Sequence, residues 1–385
     1  MLTFSMDNDN TMKILIVVPG GVHPSGEVKV IPALLSLLKT LSVENEVCII
    51  ALNQHRELTE YYLHGCLVIS LPNVRFRNIF SAYRIAIARM NHYRFKPEVT
   101  HSFWLGSPTI FAAMLCKKLK VPLLASIAGG ELVNISKIRY GGYRSFLSRY
   151  LIKKSIKMAQ ASSCGSNYLQ SIAVDTVNIR ASLIPLGIDR EFWPFKVCED
   201  KAENRWNLLQ LASINRVKDP WLMLEVVKHL KQLGLPFHLN WVGGDTLNGE
   251  IQKLAEKMGL TEFISFHDFV KQKELKQMMA EQHFVIQTSY YESQGIALAE
   301  ACSQGVCPVG TSVGWLSDLQ LGLDFPREIL ADKIATQIVH LTNAPEERQK
   351  RVLKAQSWIK KNDVTITAQK FIDSYNEILT RYEHA

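Results

Sequence analysis

The stretch FVIQTSYYESQGIALAEA, residues 284–301, contains the pattern that decides the fold. Its first five residues, 284–288, are mostly apolar or β-branched and are predicted to form a buried strand. A glycine follows at position 295, and the apolar residues after it are predicted to open a helix. A strand, a glycine-containing turn and a helix in this order indicate a βα unit of a parallel sheet.

The same order of strand, loop and helix recurs along the chain. In the second half, a helix is predicted at residues 221–233 and further strands at 207–213, 237–242, 264–267 and 306–310. In the first half, strands are predicted at residues 13–18, 46–52, 99–103, 123–127 and 161–164. Alternation of this kind predicts an α/β fold with two parallel sheets, each covered by helices.

The pattern restarts between residues 190 and 204, where we place the boundary between two domains. This segment contains Phe192-Trp-Pro194 and a charged run at 198–205. The chain therefore divides into an N-terminal Rossmann-like domain, residues 1–190, and a C-terminal Rossmann-like domain, residues 191–360. The amphipathic end, residues 361–385, is expected to form a helix that packs back on the N-terminal domain.

Composition excludes several classes of protein. The 385 residues are 47% hydrophobic and 21% charged, which is typical of a water-soluble globular protein. No stretch reaches the roughly 20 apolar residues that cross a bilayer, and the polar N-terminus lacks the basic start of a secretory signal. Seven cysteines without a CxxC pair argue against a disulfide framework or a zinc site. We therefore expect a cytoplasmic protein.

Two carboxylates, Glu292 and Glu300, lie on either side of the turn at Gly295. The glycine lets the backbone approach a ligand closely, and the N–H groups of the first helical turn favour a phosphate. Glu300, about one turn into the helix, can accept hydrogen bonds from the hydroxyls of a sugar or a ribose. Glu292, ahead of the turn, faces whatever extends beyond the phosphates. The stretch therefore suits a ligand that carries both phosphates and hydroxyls.

Glu292-x7-Glu300 with Gly295 between them resembles the EX7E signature of retaining GT-B glycosyltransferases of the family 4 type. Other turns resemble the family's landmarks in the same order: 24–27 (PSGE), 242–245 (VGGD), 266–270 (FHDFV) and 308–314 (PVGTSVG). Together the matches span residues 13–320, which is most of the chain. EX7E alone is a weak signal, but its strand–turn–helix context and the order of the other turns make it specific.

The resemblance implies a GT-B fold, in which two Rossmann-like domains face each other across a cleft, and a nucleotide diphosphate sugar as donor. It implies that Glu300 binds the ribose hydroxyls and that Glu292 contacts the transferred sugar. Further donor-binding residues are implied at the turn and on two neighbouring loops: Gln294, Gly295, Ile296, Ala297, Ser213 and Gly243. The reaction is expected to retain the anomeric configuration, and neither a metal ion nor a cofactor is expected.

A second group of candidate residues lies in the loop 213–220 (SINRVKDP), after the first strand of the C-terminal domain. The carboxyl end of a parallel strand places this loop at the same cleft. Cations there stabilise a departing pyrophosphate as the glycosidic bond breaks. By resemblance Lys218 is the family's catalytic lysine, whereas Ser213 stands where the family has an arginine. Arg216 is the candidate substitute, and a solvated basic loop is the alternative for both cations.

Two loops of the N-terminal domain carry candidate residues for the acceptor side of the active site. They lie after the first strand or after the strand at 123–127: His23, Gly26, Gly129, Gly130 and Glu131. Family members have a histidine close to the reacting sugar where this chain has Ala128, so no histidine role carries over. Glu131 could contact donor or acceptor, or cap a helix. His23 could replace the missing histidine, or be solvated.

The net charge of +8 is distributed unevenly. Residues 1–190 have a net charge of +11 and residues 191–385 a net charge of −3, and residues 74–157 contain 16 basic and 2 acidic residues. Basic residues alternate with apolar ones at helical spacing in 80–93 and 143–158, which favours an anionic membrane surface. Nucleic acid is the rival partner, but no nucleic-acid module is apparent. A solvated face of generic charge is the remaining alternative.

The sequence thus predicts a glycosyltransferase that moves a hexose-type sugar from a nucleotide diphosphate sugar to a glycan or a lipid-linked glycan. We expect it in the cytoplasm, attached peripherally to the inner leaflet of the membrane. Two alternatives stay open: another GT-B activity, such as a nucleotide-sugar epimerase or a phosphorylase, and a catalytically silent GT-B scaffold. Ala128 and Ser213 favour the scaffold, whereas Glu292, Glu300 and Lys218 favour the enzyme.

Overall fold

The computed structural model describes residues 11–198 and 205–384. The first of two sheets contains, in chain order, β1 (Lys13–Val18), β2 (Glu46–Ala51), β3 (Thr59–Leu63), β4 (Cys66–Ser70), β5 (Val99–Phe103), β6 (Leu123–Ile127), β7 (Ala161–Cys164) and β8 (Ser182–Leu183). Their order across the sheet is β3-β4-β2-β1-β5-β6-β7-β8, and only the β3–β4 pair among them is antiparallel. The central strand β1 is fully buried after Lys13, as its run of Ile, Leu and Val predicts.

Except around the β3–β4 hairpin, the helices of the first half return the chain from the carboxyl end of one strand to the amino end of the next. They are α1 (Pro32–Leu41), α2 (Ile79–His92), α3 (Ser107–Leu119), α4 (Phe146–Lys157) and α5 (Asn167–Val177). In α1, leucines recur at helical spacing and face the sheet, and Pro32 occupies the first turn, where its missing N–H costs nothing. No helix within the described ranges is both long and apolar enough to span a bilayer.

The second sheet is entirely parallel, with the order β11-β10-β9-β12-β13. Its strands are β9 (Trp206–Leu211), β10 (Phe237–Val242), β11 (Ile264–His267), β12 (Phe284–Gln287) and β13 (Cys307–Gly310). Its helices are α6 (Pro220–Gln232), α7 (Glu250–Lys257), α8 (Gln272–Met279), α9 (Ile296–Ser303), α10 (Trp315–Asp318), α11 (Arg327–Thr342) and α12 (Pro345–Lys361). The predicted α/β architecture with two parallel sheets is confirmed.

The last helix, α13 (Val364–Glu383), leaves the second half and packs on the first. Asp363 begins it by accepting hydrogen bonds from the N–H groups of Thr365 and Ile366, which satisfies two donors of the first turn. Its apolar face includes Phe371, Tyr375 and Ile378, which are buried with α1 and β1 in one hydrophobic cluster. The domain limits at 190/191 and 360/361 stay predictions, and linker residues 199–204 lie outside the described part of the chain.

The edge of the first sheet differs from the pattern predicted. The hairpin formed by β3 and β4 extends the sheet beyond β2, and neither strand was expected. Residues 59–63 are mixed in polarity because this strand is at the edge and only Leu63 is fully covered. Periodicity is weak in such strands, so the hairpin depends on tertiary pairing.

Candidate active site

The carboxyl ends of the two sheets face each other across a cleft with a volume of about 870 Å³. Open α/β sheets bind ligands at this edge, because the loops after the strands present side chains and backbone N–H groups there. The first half contributes loops after β1, β5, β6 and β7, and the second half contributes loops after β9, β10, β11 and β12. Candidate residues far apart in the sequence are therefore brought to one site.

The turn between β12 and α9 carries both candidate carboxylates to the cleft. Gly295 has a φ of 99° and immediately precedes α9, and glycine adopts this left-handed conformation without strain. Glu292 lies in the loop before it and Glu300 one turn into the helix, and both line the cleft. Ile296 and Ala297 form the first turn of α9, whose N-terminus favours negative charge.

An ion pair joins two loops at the centre of the cleft. The Nζ of Lys218 lies 2.5 Å from Oε1 of Glu292, and that oxygen also accepts the hydroxyl of Ser289 at 2.6 Å. The backbone of Lys218 is held from both sides, because its N–H donates to the side chain of Asn215 and its carbonyl accepts the hydroxyl of Thr288. The two charges therefore occupy defined positions, half-buried and facing the cleft.

Glu300 lies in a contrasting environment, because the described part of the chain provides it with no cation. Its side chain is buried, and this burial raises its pKa to about 8, an effect that a hydrogen bond from Trp193 opposes. The carboxyl group is therefore largely protonated at neutral pH. A ligand whose hydroxyls donate to it would favour the ionised form and lower this pKa.

Two further donor-side candidates, Gly243 and Ser213, line the cleft from the loops after β10 and β9. Gly243 has a φ of 150°, and a Cβ there would lie 2.3 Å from the carbonyl oxygen of Ala212, so only glycine fits. Ser213 is exposed and has a small side chain, so it adds no charge to the site where the family's arginine would.

Gln294 also lines the cleft, but its amide group is already engaged. Its Oε1 accepts the N–H of Leu186 at 3.0 Å, and its Nε2 donates to the carbonyl of the same residue at 2.7 Å. Both ends of the amide thus pair with the backbone that leads out of the first half. Gln294 therefore anchors the turn between β12 and α9 to the backbone of Leu186, and its place in donor binding stays a prediction.

Five candidate residues do not line the cleft, and their roles stay predictions. They are His23, Gly129, Gly130, Glu131 and Arg216. Arg216 is exposed and points away from the lining, whereas its neighbour Lys218 points inward. His23 makes a local hydrogen bond to Ser25, although Gly26 of the same loop does line the cleft.

Glu131 is buried beneath the loop after β6 instead of extending into the cleft. Its carboxylate accepts the backbone N–H groups of Leu105, Ala128 and Gly129 at 2.7 to 3.2 Å. Burial raises its pKa, and these hydrogen bonds oppose the rise. The carboxylate therefore joins the loops after β5 and β6 instead of capping a helix, and its predicted contact with donor or acceptor stays a prediction.

The loop before Gly295 is docked on the first half of the molecule. The hydroxyl of Tyr291 donates to the carbonyl of Gly129 at 2.8 Å, and that of Ser293 donates to the carbonyl of Ala128 at 3.0 Å. In the opposite direction, the hydroxyl of Ser166 donates to the carbonyl of Ser293 at 2.6 Å. The loop before Gly295 and the loop after β6 are therefore in direct contact.

Sequence reasoning missed a group of cleft residues on the floor of the first half. Trp104 lines the cleft immediately after β5 with a φ of 67°, a conformation that is uncommon for a bulky residue and that clusters at functional sites. Ser126 and Ser163, at the ends of β6 and β7, line it as well. Their places at strand ends were visible in the sequence, but no spacing signal relates them.

Comparison with known proteins gives one family match. Residues 190–361 match the family model described as "Glycosyl transferases group 1". Over 153 residues the chain is 29% identical to the Bacillus subtilis protein named "Putative glycosyltransferase EpsF". This alignment covers 37% of the chain and 39% of that protein, so the chain spans about two-fifths of the length of this curated relative. This part of the chain is therefore similar to the glycosyl transferases group 1 family.

Solved structures resemble the whole chain. Sucrose-phosphate synthase from Thermosynechococcus elongatus has a TM-score of 0.76 and 15% identity, with 96% of this chain and 100% of that chain covered. Anabaena HepE in complex with UDP-glucose has a TM-score of 0.72 and 15% identity, with 95% and 100% covered. The likeness shows the fold, and the predicted GT-B fold is confirmed. The family 4 subtype and the retaining mechanism stay predictions.

Proposed function

We propose that this protein is a retaining glycosyltransferase that transfers a hexose-type sugar from a nucleotide diphosphate sugar to a glycan or a lipid-linked glycan. The observation that carries the proposal is the meeting of Lys218, Glu292 and Glu300 around the glycine turn of one cleft. The match of residues 190–361 to glycosyl transferases group 1 supports the same activity.

The donor would bind mainly to the second half. We propose that the diphosphate lies at the N-terminus of α9, where Gly295 admits it and the helix favours its charge. Glu300 then accepts hydrogen bonds from the two ribose hydroxyls. UDP-glucose is a reasonable first probe, because it is the ligand in the structure of Anabaena HepE.

The proposed transfer proceeds on one face of the sugar. The bond between the anomeric carbon and the diphosphate oxygen breaks as a bond to the acceptor oxygen forms on the same side, and the acceptor proton passes to the departing diphosphate. Lys218 stabilises the charge that develops on this leaving group, and Glu292 orients the sugar. Because Lys218 supplies the positive charge, we propose that the reaction needs no metal ion or cofactor and continues in the presence of EDTA.

A thermal-shift screen of nucleotide diphosphates and their sugars tests the donor assignment. A ligand at 100 times its dissociation constant adds about 2.7 kcal/mol to the free energy of unfolding. Turnover is then followed by nucleotide release, and the anomeric configuration of the product by NMR. Inversion, or the absence of a shift with any nucleotide, would contradict the proposal.

The same assays separate the alternative activities. An epimerase would convert the sugar nucleotide without an added acceptor, and a phosphorylase would require inorganic phosphate. A silent scaffold would bind the nucleotide without turnover. Each result is distinct from transfer to a glycan.

The acceptor side is proposed to lie against an anionic membrane at the inner leaflet. Aromatic side chains project into solvent at or just before the starts of two helices: Phe146 in α4 is 87% exposed, Phe80 in α2 is 72% exposed, and Phe76 three residues before α2 is 84% exposed. Exposed lysines continue along α4. Apolar anchors beside basic residues suit the interface of an anionic bilayer.

The position of these helices supports delivery of a lipid-linked acceptor. Helices α2 and α4 follow the parallel strands β4 and β6, so both start at the carboxyl edge of the sheet. The cleft opens at this same edge. A bilayer resting on the aromatic ends would therefore place a lipid headgroup near the cleft, which is why we favour this acceptor class and a cytoplasmic location.

A further inference from the structure

Four hydrogen-bonded side chains connect the C-terminal helix to the floor of the cleft. The hydroxyl of Tyr375, on α13, lies 2.7 Å from Nδ1 of His101 on β5. Nε2 of His101 lies 2.7 Å from the hydroxyl of Ser126 on β6, which lies 2.5 Å from the hydroxyl of Ser163 on β7. Ser126 and Ser163 line the cleft although they are only 4% and 1% exposed, and Tyr375 and His101 are fully buried behind them.

All four of these hydrogen-bonded side chains are uncharged. Burial lowers the pKa of His101 to about 3, and burial raises the pKa of Tyr375. The rings of Phe103 and Phe371 both pack against His101 and make its surroundings otherwise apolar. A neutral imidazole has one N–H, and it donates on one side and accepts on the other.

The direction of donation along these hydrogen bonds follows from the partners of the Tyr375 hydroxyl. Among the described residues, His101 is the one hydrogen-bond partner of its hydroxyl. If Nδ1 carried the hydrogen, the Tyr375 hydrogen would be buried without an acceptor, which is unfavourable. Tyr375 is therefore the donor. The Nε2–H of His101 then donates to Ser126, and Ser126 donates to Ser163.

We propose that these hydrogen bonds, all donated in one direction, present the hydroxyl of Ser163 as a hydrogen-bond donor to an oxygen atom of the acceptor substrate. This inference rests on the proposed function. With Ser126 as the donor of the bond between the two hydroxyls, the hydrogen of Ser163 is left free for a ligand in the cleft that this residue lines. A chain of aligned hydrogen bonds polarises its members, so the terminal donor is strengthened.

The location of Ser163 fits contact with the acceptor. Ser163 is the next-to-last residue of β7 in the first half, and three residues later Ser166 donates to the carbonyl of Ser293 in the loop before Gly295. Phe103 and Trp104 line the same side of the cleft. An acceptor held there has its oxygen atoms close to the proposed place of the transferred sugar. Tyr375, His101 and Ser126 are positioning residues, because they act through Ser163.

The first test uses ¹⁵N-histidine NMR without any ligand. The proposal requires His101 to be neutral, with the hydrogen on Nε2. Tyr375→Phe should displace the Nδ1 signal of that histidine, because it removes the donor. Tyr61→Phe is the matched control, since it removes another phenol hydroxyl, partly buried next to the same core and bonded to the carbonyl of Val22. A hydrogen on Nδ1, or a charged ring, would overturn the inference.

The second test measures the binding of octyl β-glucoside, whose sugar oxygens can accept from Ser163. Ser163→Ala should weaken binding about two- to tenfold, the range expected for one hydrogen bond. Tyr375→Phe should weaken it less, and the double variant should match Ser163→Ala alone. Unchanged affinity in Ser163→Ala, additive effects, or no binding by the wild type would refute the role of Ser163. Neither test uses a nucleotide sugar, so failure of the proposed function would be seen separately.

Discussion

The ammonium group of Lys218 and the carboxylate of Glu292 are 2.5 Å apart, although 73 residues separate them in the chain. The pair joins the loop after β9 to the loop after β12, the two neighbouring strands at the centre of the second sheet. Each charge is held by the other, and both face the cleft. A change at either position therefore affects the position of its partner as well as its own contact with a ligand.

Lys218→Ala is expected to lower kcat about 100- to 1,000-fold, since it removes the group that stabilises the departing diphosphate. It should also lower the free energy of unfolding by about 1–3 kcal/mol because Glu292 loses its partner, which is less than for a fully buried pair. Arg216→Ala is the matched control and should remain close to wild type, because that side chain is exposed outside the cleft. A silent Lys218→Ala beside a severe Arg216→Ala would reverse the roles assigned to this loop.

Glu292→Gln and Glu300→Gln should separate turnover from donor binding. Glu300→Gln should raise the dissociation constant of the nucleotide about tenfold, because an amide is a poorer acceptor for two ribose hydroxyls. Glu292→Gln should mainly lower kcat and leave nucleotide affinity close to that of the wild type. Isothermal titration with the nucleotide, followed by steady-state kinetics, distinguishes the two effects. Equal behaviour of both variants and wild type would exclude the assignment.

The raised pKa of Glu300 makes stability depend on pH. The folded-state pKa is about 8 and the ordinary value is 4.5, so the unfolded chain loses this proton first as the pH rises. The contribution of Glu300 to stability is therefore present below 4.5 and is lost as the pH rises through about 8. Urea denaturation should show Glu300→Gln gaining stability relative to wild type over this interval. A difference that does not vary with pH would contradict the burial of this carboxyl group.

Nucleotide binding should release a proton at neutral pH if ribose hydroxyls donate to an ionised Glu300. The ligand favours the charged form, whereas the unliganded group is largely protonated. Titration calorimetry in two buffers with different ionisation enthalpies measures the number of protons released. We expect a fraction close to one in wild type and close to zero in Glu300→Gln, and the same value in both proteins would argue against this contact.

The membrane proposal predicts salt-sensitive binding to anionic vesicles. Wild-type protein should sediment with phosphatidylcholine–phosphatidylglycerol vesicles at low salt, and much less at high salt or with phosphatidylcholine alone. Changing three exposed residues of α4 to glutamine should reduce binding: Lys153, Lys154 and Lys157.

A control with the same change in charge uses exposed lysines of α12 in the second half: Lys350, Lys354 and Lys360. This control should bind as wild type does, and Phe146→Ser should weaken binding without a change in charge. Equal losses in both lysine variants would indicate attraction by net charge alone. That result would favour the generic basic face over a membrane-facing surface.

The donor side could be predicted largely from the sequence because its determinants are local. Gly295 follows a strand and precedes a helix within a dozen residues, and this order alone places Glu292 and Glu300 on the same turn. Lys218 lies in the cleft to which the same logic of strand ends assigns its loop, and its catalytic role stays a prediction.

The acceptor side could not be predicted in this way, because its contacts are tertiary. The bond between His101 and Tyr375 joins residues 274 positions apart, and no periodicity relates them. Glu131 looks identical in the sequence whether it faces the cleft or accepts three backbone N–H groups beneath it. Which of the two occurs depends on the path of the loop after β5. In that loop Trp104 adopts a positive φ, which the neighbouring residues in the sequence do not predict.

The return of α13 to the first sheet has a consequence for how the protein is made. Domains usually fold in the order in which they leave the ribosome. Here the N-terminal core lacks Phe371, Tyr375 and Ile378 until synthesis has passed the second sheet and helix α12. An apolar groove beside α1 in the first half therefore stays exposed to solvent while the second half is synthesised and folds. Nascent chains of this protein should depend on chaperones longer than their early β1 and β2 strands would suggest.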